Sequence, residues 1–243
     1  MPELRRERVV LHYEERGQGF PVLLLAPGGM RSAISFWDAA PWNPFEELSD
    51  AFRVIGMDQR NAGGSRAPVG PGDAWETYTS DQLALLDALE VDRCHLIGGC
   101  IGGSFSLGLL RAAPDRVASA VLQQPIGSSP ENRDAFYAMF DGWAADVAKL
   151  QPEVSAEDWA AFRSRMYDGD FVFSVDRDMV RACPAPLLVL MGNDLYHPAH
   201  TSREICALAP DAELIERWKD PEHVSDTVKR VRAFLRAHTP RTG

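Results

Sequence analysis

The stretch LIGGCIGGSF, residues 96–105, sets one cysteine between two pairs of glycines. An apolar run leads into it and a second apolar run, IGGSFSLGLL, leads away. The first reads as a strand and the second as a helix. A nucleophile on a sharp strand-to-helix turn needs small neighbours two residues before and after it, because larger side chains collide there. Gly98 and Gly102 fill those positions around Cys100. The helix start would also offer backbone N–H groups and the positive end of a dipole, both of which favour a thiolate. Cys94, Cys183 and Cys206 lie in ordinary element contexts and read as small buried hydrophobes.

The elements that must position Cys100 alternate along the chain. Residues 8–29 alternate in polarity, turn at Gly17-Gln18-Gly19, then become continuously apolar. They predict an N-terminal hairpin followed by a buried strand at Val22 to Leu25. FRVIGM, DRCHLIGG, VASAVLQQP, PLLVLMGND and AELIERW read as further strands. TYTSDQLALLDALE, with Ser80 or Thr79 as N-cap, and TSREICALAP and HVSDTVKRVRAFLRAH read as helices. The rhythm breaks between about Gly127 and Ala185, where two amphipathic segments suggest a helical insertion. Buried strands alternating with helices predict an α/β fold, a mostly parallel sheet with helices on both faces. The predicted division is a core of residues 1–126 and 186–243 and a cap of residues 127–185.

Gly98-Gly99-Cys100-Ile101-Gly102, the APGGM loop at residues 26–30 and the DQRNAGGS loop at residues 58–65 together resemble the α/β-hydrolase fold family. The resemblance spans nearly the whole chain. A cysteine stands where serine is usual, similar in nucleophile type to dienelactone hydrolases, whereas the cap looks closer to capped esterases and C–C hydrolases. The resemblance implies a base after the last strand, which is His223 in KDPEHVSD. It implies an acid after PLLVLMGN, which is Asp194, with Asp58 in reserve. His12, His95 and His238 are weaker candidates for the base; His197 and His200 follow the acid closely and could line the pocket. The implied oxyanion donors are the backbone N–H groups of Ile101 and Gly29, with Met30 as the neighbour alternative. Asp58 and Arg60 read as structural, holding the loop near the elbow or simply forming an ion pair with each other. Trp143, Phe140, Trp159, Phe171 and Phe173 read mainly as cap packing, with Trp143, Met30 and His197 as candidate substrate contacts.

The implied chemistry is hydrolysis of an ester, lactone or thioester of a small organic acid through an acyl-cysteine. The same residues could serve an acyltransferase, a C–C hydrolase or a lyase, and an inert Cys100 would leave a binding module. No metal or organic cofactor is called for. GGCIGG sits mid-chain, and the next strand ends LQQPIG without an acidic residue, which argues against a dinucleotide site.

Composition narrows the partners. The 243 residues are 45 % hydrophobic and 25 % charged, enough for one core without disulfides. A formal net charge of −10 argues against non-specific binding to nucleic acid or anionic membranes. Lys149, Lys219 and Lys229 are the only lysines, a weak pointer to a bacterial source. MPELRRERVVLHYEERG has no apolar core and no apolar run reaches membrane-spanning length, so a cytoplasmic protein with reduced thiols is expected. A small-molecule substrate is the expected partner, and self-association is left open.

Overall fold

The computed structural model describes residues 2–240. The apolar runs form strands because β-branched and leucine side chains fill both faces of a covered sheet. The strands are β1 (Glu3–Arg6), β2 (Val9–Arg16), β3 (Pro21–Leu25), β4 (Arg53–Met57), β5 (Cys94–Gly99), β6 (Val117–Gln123), β7 (Leu187–Leu190) and β8 (Ala212–Ile215). They build one eight-stranded sheet in the order β1-β2-β4-β3-β5-β6-β7-β8. The pairs β1–β2 and β2–β4 are antiparallel, and all later pairs are parallel.

The predicted hairpin exists, but its turn is not at Gly17–Gly19. β1 pairs with β2 around Glu7 and Arg8, and the glycine turn carries the chain from β2 past β4 to β3. β3 is almost wholly buried between β4 and β5, a place suited to PVLLL and unsuited to the more exposed β2.

Helices cover both faces. α1 (Pro44–Leu48) and α8 (Pro221–His238) bury Phe45, Leu48, Val231 and Leu235 against one face. α2 (Trp75–Ala88), α3 (Ile101–Ala112) and α7 (Ala199–Leu208) bury Leu85, Phe105, Leu109 and Ile205 against the other. α2 starts four residues before the predicted cap. Ala74 is its N-cap, and Thr77 Oγ1 accepts from the Ala74 N–H, so Thr79 and Ser80 lie inside the helix. The extra turn brings Trp75 into the core, where its Nε1–H donates to the Met166 carbonyl.

Between β6 and β7 the chain inserts α4 (Arg133–Ala148), α5 (Ala156–Tyr167) and α6 (Arg177–Arg181). Ser155 and Asp176 cap α5 and α6 by accepting from Asp158 N and Met179 N. Phe140, Trp143 and Phe162 pack edge-on between α4 and α5. Among the described residues, no helix is long and apolar enough to cross a membrane.

Candidate active site

β5 delivers Cys100 and α3 receives it. Cys100 sits at the N-cap of α3 with φ 57° and ψ −119°, backbone angles that only a tightly held non-glycine residue adopts. The two flanking glycines permit this turn. A Cβ on Gly98 would lie 2.1 Å from the Gly102 carbonyl oxygen, and one on Gly102 would lie 1.9 Å from the Leu25 carbonyl oxygen. Cys100 N–H donates to the Gln123 carbonyl at the end of β6, which fixes the turn to the neighbouring strand.

The imidazole beside the thiol belongs to His197. The loop after β7 folds back on itself: Asp194 N–H donates to the His197 carbonyl and His197 N–H to the Asp194 carbonyl. Asp194 Oδ1 accepts from Tyr196 N–H, His197 N–H and, at 2.7 Å, His197 Nδ1. A carboxylate only accepts here, so Nδ1 carries the hydrogen and the bare Nε2 is left for the thiol. Nε2 is buried and makes no hydrogen bond of full geometry in the resting site.

The electrostatics follow from this arrangement. Burial alone would raise the Cys100 pKa, but His197 and the backbone N–H groups of Ile101 and Gly28 outweigh it, and the thiol lies below its ordinary value. Burial alone would lower the His197 pKa, but Cys100 and Asp194 outweigh it and the imidazole lies above its ordinary value. Burial opposes ionisation of Asp194 too, yet its bonds to His197 and Tyr196 hold it below the usual carboxylate range. The other thiols go the opposite way. Burial pushes Cys94 up to about 12, Cys206 up to about 11, and Cys183 up as well.

The structure therefore brings Cys100, His197 and Asp194 together and leaves His223 apart from them. His223 lies in the first turn of α8, with Nδ1 3.8 Å from Asp220 and 3.7 Å from Glu222, and forms no ion pair with Asp194. The physical reason is chain length. Only residues 216–220 separate β8 from α8, and His223 is drawn into the helix, its N–H bonded to the Asp220 carbonyl. The loop after β7, residues 191–198, is longer and carries both Asp194 and His197.

The second amide aimed at the sulfur is that of Gly28, not Gly29. Gly28 takes a left-handed φ of 118° and caps the short 3₁₀ turn Gly29–Arg31, so its N–H stays outside that turn. Gly29 lines the cavity instead, and a Cβ there would meet Met139 Sδ at 2.5 Å. Met30 is buried in the core. Trp143 is buried too, its Nε1–H bonded to the Asn61 carbonyl, and neither residue lines the cavity. Asp58 accepts from His12, Ile34 N–H and Gly64 N–H, while Arg60 pairs with Asp81 and Asp73. Both are scaffold, although not as partners of each other.

The cavity over Cys100 measures about 260 Å³. Gly28, Gly29 and Ile101 form its floor with the thiol, and Ile126, Phe136, Met139, Tyr167 and Tyr196 close it. Phe136 and Met139 stand one turn apart on α4, a spacing visible in the sequence only once α4 is known to face the elbow. Among the described residues, His197 is the only nitrogen base in the lining, and no lysine or arginine joins it. One group of carboxylates and imidazole among the described residues, Asp220, Glu222 and His223, is close enough to share a cation. It has no residue in common with the cavity.

Residues 21–170 match the alpha/beta hydrolase fold family. The chain belongs to that family. This α/β-hydrolase is 28 % identical to a 2-hydroxymuconate semialdehyde hydrolase of Pseudomonas sp. (strain CF600), over 96 % of this chain and 94 % of that protein. It is 35 % identical to a putative carbamate hydrolase of Variovorax paradoxus over 54 % of this chain, a match that spans half of that protein. Among solved structures, the meta-cleavage product hydrolase of Pseudomonas fluorescens IP01 superposes with a TM-score of 0.70 at 21 % identity, covering 95 % of this chain and 96 % of that one. The enol-lactonase of Burkholderia xenovorans LB400 superposes with a TM-score of 0.64 at 27 % identity, covering 97 % of both chains. The first superposition speaks to fold alone.

Proposed function

We propose that this α/β-hydrolase is a cysteine-dependent enzyme that cleaves the bond between a carbonyl carbon and a carbon leaving group in a small substrate. The observation that carries the acyl chemistry is the Cys100–His197–Asp194 arrangement under two convergent amides. His197 Nε2 takes the thiol proton as Sγ attacks the carbonyl carbon. The oxygen gains the negative charge between the N–H groups of Gly28 and Ile101. Collapse expels the leaving group, which receives the proton from His197, and leaves a thioester on Cys100. His197 then takes a proton from water, hydroxide adds to the thioester, and the acid departs as the thiol is restored. Asp194 keeps Nε2 unprotonated toward the thiol and steadies the imidazolium.

The choice of a carbon leaving group rests on the near full-length likeness to the 2-hydroxymuconate semialdehyde hydrolase. Such a leaving group must itself be stabilised, as an enol or enolate is. The cavity lining holds no lysine or arginine, which favours a neutral acyl part. A second reading, ester or lactone hydrolysis, is favoured by the likeness to the enol-lactonase. In both readings residues 127–185 act as the cap that closes the pocket.

The test is an acid-quenched reaction read by intact mass. A vinylogous diketone, an enol lactone and a p-nitrophenyl ester are each mixed with wild type and with Cys100→Ala. The acyl mass should appear on Cys100 alone, with the diketone showing the largest kcat/KM. Faster turnover of the lactone or ester moves the assignment to the second reading. Transfer of the acyl group to an added amine in preference to water marks an acyltransferase. No acyl adduct from any substrate, with an unreactive thiol, sinks the catalytic reading.

A further inference from the structure

The base lies on a loop, and loops move unless something pins them. Asp194 and His197 are held to each other, but that turn needs an anchor to keep Nε2 facing the elbow. Asn132, just before α4, supplies one. Its side chain is fully buried. Nδ2 donates to the Leu195 carbonyl at 2.8 Å, inside the Asp194–His197 turn, and to the Gly127 carbonyl at 2.8 Å. Oδ1 accepts from Ser129 N–H at 2.9 Å. Gly127 N–H donates to the Tyr196 carbonyl, a second stitch between the same two segments. One carboxamide thus ties the acid–base turn to the chain leaving β6 and to the start of the inserted helices.

We infer that Asn132 is a positioning residue for His197, acting through the Leu195 carbonyl to hold the imidazole against Cys100. The inference rests on the catalytic reading of the same site. It goes beyond that reading in making alignment of the base depend on a residue outside the cavity. Aspartate is the informative replacement. It has the shape of asparagine and can still accept from Ser129, but its ionised form cannot donate to Leu195 or Gly127. Two carbonyl oxygens would then face a carboxylate. At low pH the introduced carboxyl is protonated and can donate one bond again.

The groups that face the imidazole are Cys100 on the elbow and Asp194 on its own loop. Tyr167 of α5 also borders the cavity, kept neutral by burial that raises its hydroxyl well above the ordinary value. The experiment measures the rate of Cys100 alkylation by iodoacetamide across pH for wild type, Asn132→Asp and Asn132→Ala, with kcat and KM on an activated ester. In both variants the acid limb of the alkylation profile should move to higher pH, because a displaced imidazole no longer stabilises the thiolate. Their kcat should fall roughly tenfold or more with KM changed less than about threefold. At acidic pH Asn132→Asp should recover part of its alkylation rate relative to Asn132→Ala. A folded Asn132→Asp with the wild-type alkylation profile overturns the inference.

The alkylation arm needs no turnover, so it still reads Asn132 if every acyl substrate fails and the proposed function falls. Where the variants do not fold, the side-chain amide protons of Asn132 are followed by NMR in the wild-type protein. They should shift when Cys100 is carboxamidomethylated. Unmoved signals overturn the inference.

Discussion

At the scale of single residues, four cysteines differ in what surrounds them, and that difference sets their order of reaction. Three are pushed up by burial, while Cys100 is pulled down by an imidazole and two amides. Iodoacetamide should therefore label Cys100 first at neutral pH, and peptide mapping reads the order directly. The sign of the pH dependence follows from the pair. The thiol lies low and the imidazole high, so the thiolate–imidazolium form extends to more acidic pH than a free cysteine allows. Alkylation should persist below the pH at which the other thiols have gone silent, and its lower limb belongs to the coupled pair. The sequence points to His223 as the base, whereas the geometry puts the His197 imidazole beside the thiol, and kinetics can compare the two. His197→Asn should cut kcat by about 10²–10⁴, whereas His223→Asn should stay within about twofold. Steady-state kinetics on one activated ester compares them, and a large loss in the His223 variant with a mild one at His197 would reverse the assignment. His197 was legible only in part. Its place three residues after Asp194 was visible, but not that the turn would point Nδ1 back at that carboxylate and leave Nε2 for the thiol.

At the scale of elements, the inserted helices divide their side chains between holding themselves together and shaping the cavity. Trp143 belongs to the first group, buried among Phe140, Trp159 and Phe162. Trp143→Ala should cost about 3–5 kcal/mol of stability and leave relative rates among acyl chains unchanged. Met139 belongs to the second, since it closes the cavity beside Gly29. Met139→Ala should shift the preference in kcat/KM toward longer acyl chains, because removing a flexible side chain from the wall adds room at the acyl end. A preference that stays fixed while the melting temperature drops would make Met139 packing alone. The sequence announced the strands and the elbow because each needs a residue pattern that few other structures tolerate: PVLLL for a fully covered strand, Gly98 and Gly102 for a turn without room for Cβ. It did not announce which helix face meets the elbow. The aromatic residues of α4 and α5 satisfy a helical period whether they face each other or the pocket, and the choice is made by three-dimensional packing.

At the scale of the whole molecule, the sheet gathers the site at the carboxyl ends of its central parallel strands. β5 leads to Cys100, β3 leads to Gly28, and β7 leads to the Asp194–His197 loop. The opposite end of β5 begins at Cys94 and carries a further buried histidine, His95, away from that site. His95 is fully buried, with Nδ1 2.8 Å from Ser119 Oγ and Nε2 3.0 Å from Thr239 Oγ1, and with the rings of Phe20 and Phe52 edge-on to it. Burial pushes its pKa down to about 3, and the charges of His238 and Arg93 add to the effect. The folded protein thus keeps His95 neutral, whereas the unfolded chain takes up a proton near the ordinary value of 6.5. Stability from the neutral imidazole is fully present above about pH 6.5 and is lost progressively as pH falls toward 3. Within that window His95 should contribute one proton taken up on unfolding, a slope of about 1.4 kcal/mol per pH unit. Urea unfolding at several pH values between 4 and 6 measures the slope for wild type and for His95→Gln, whose amide can still reach one of the two hydroxyls. The glutamine variant should be less stable at pH 8 but should lose stability more slowly on acidification, the difference in slope corresponding to one proton. Parallel curves would mean that His95 is protonated in the folded protein and that its two hydroxyl partners accept from it.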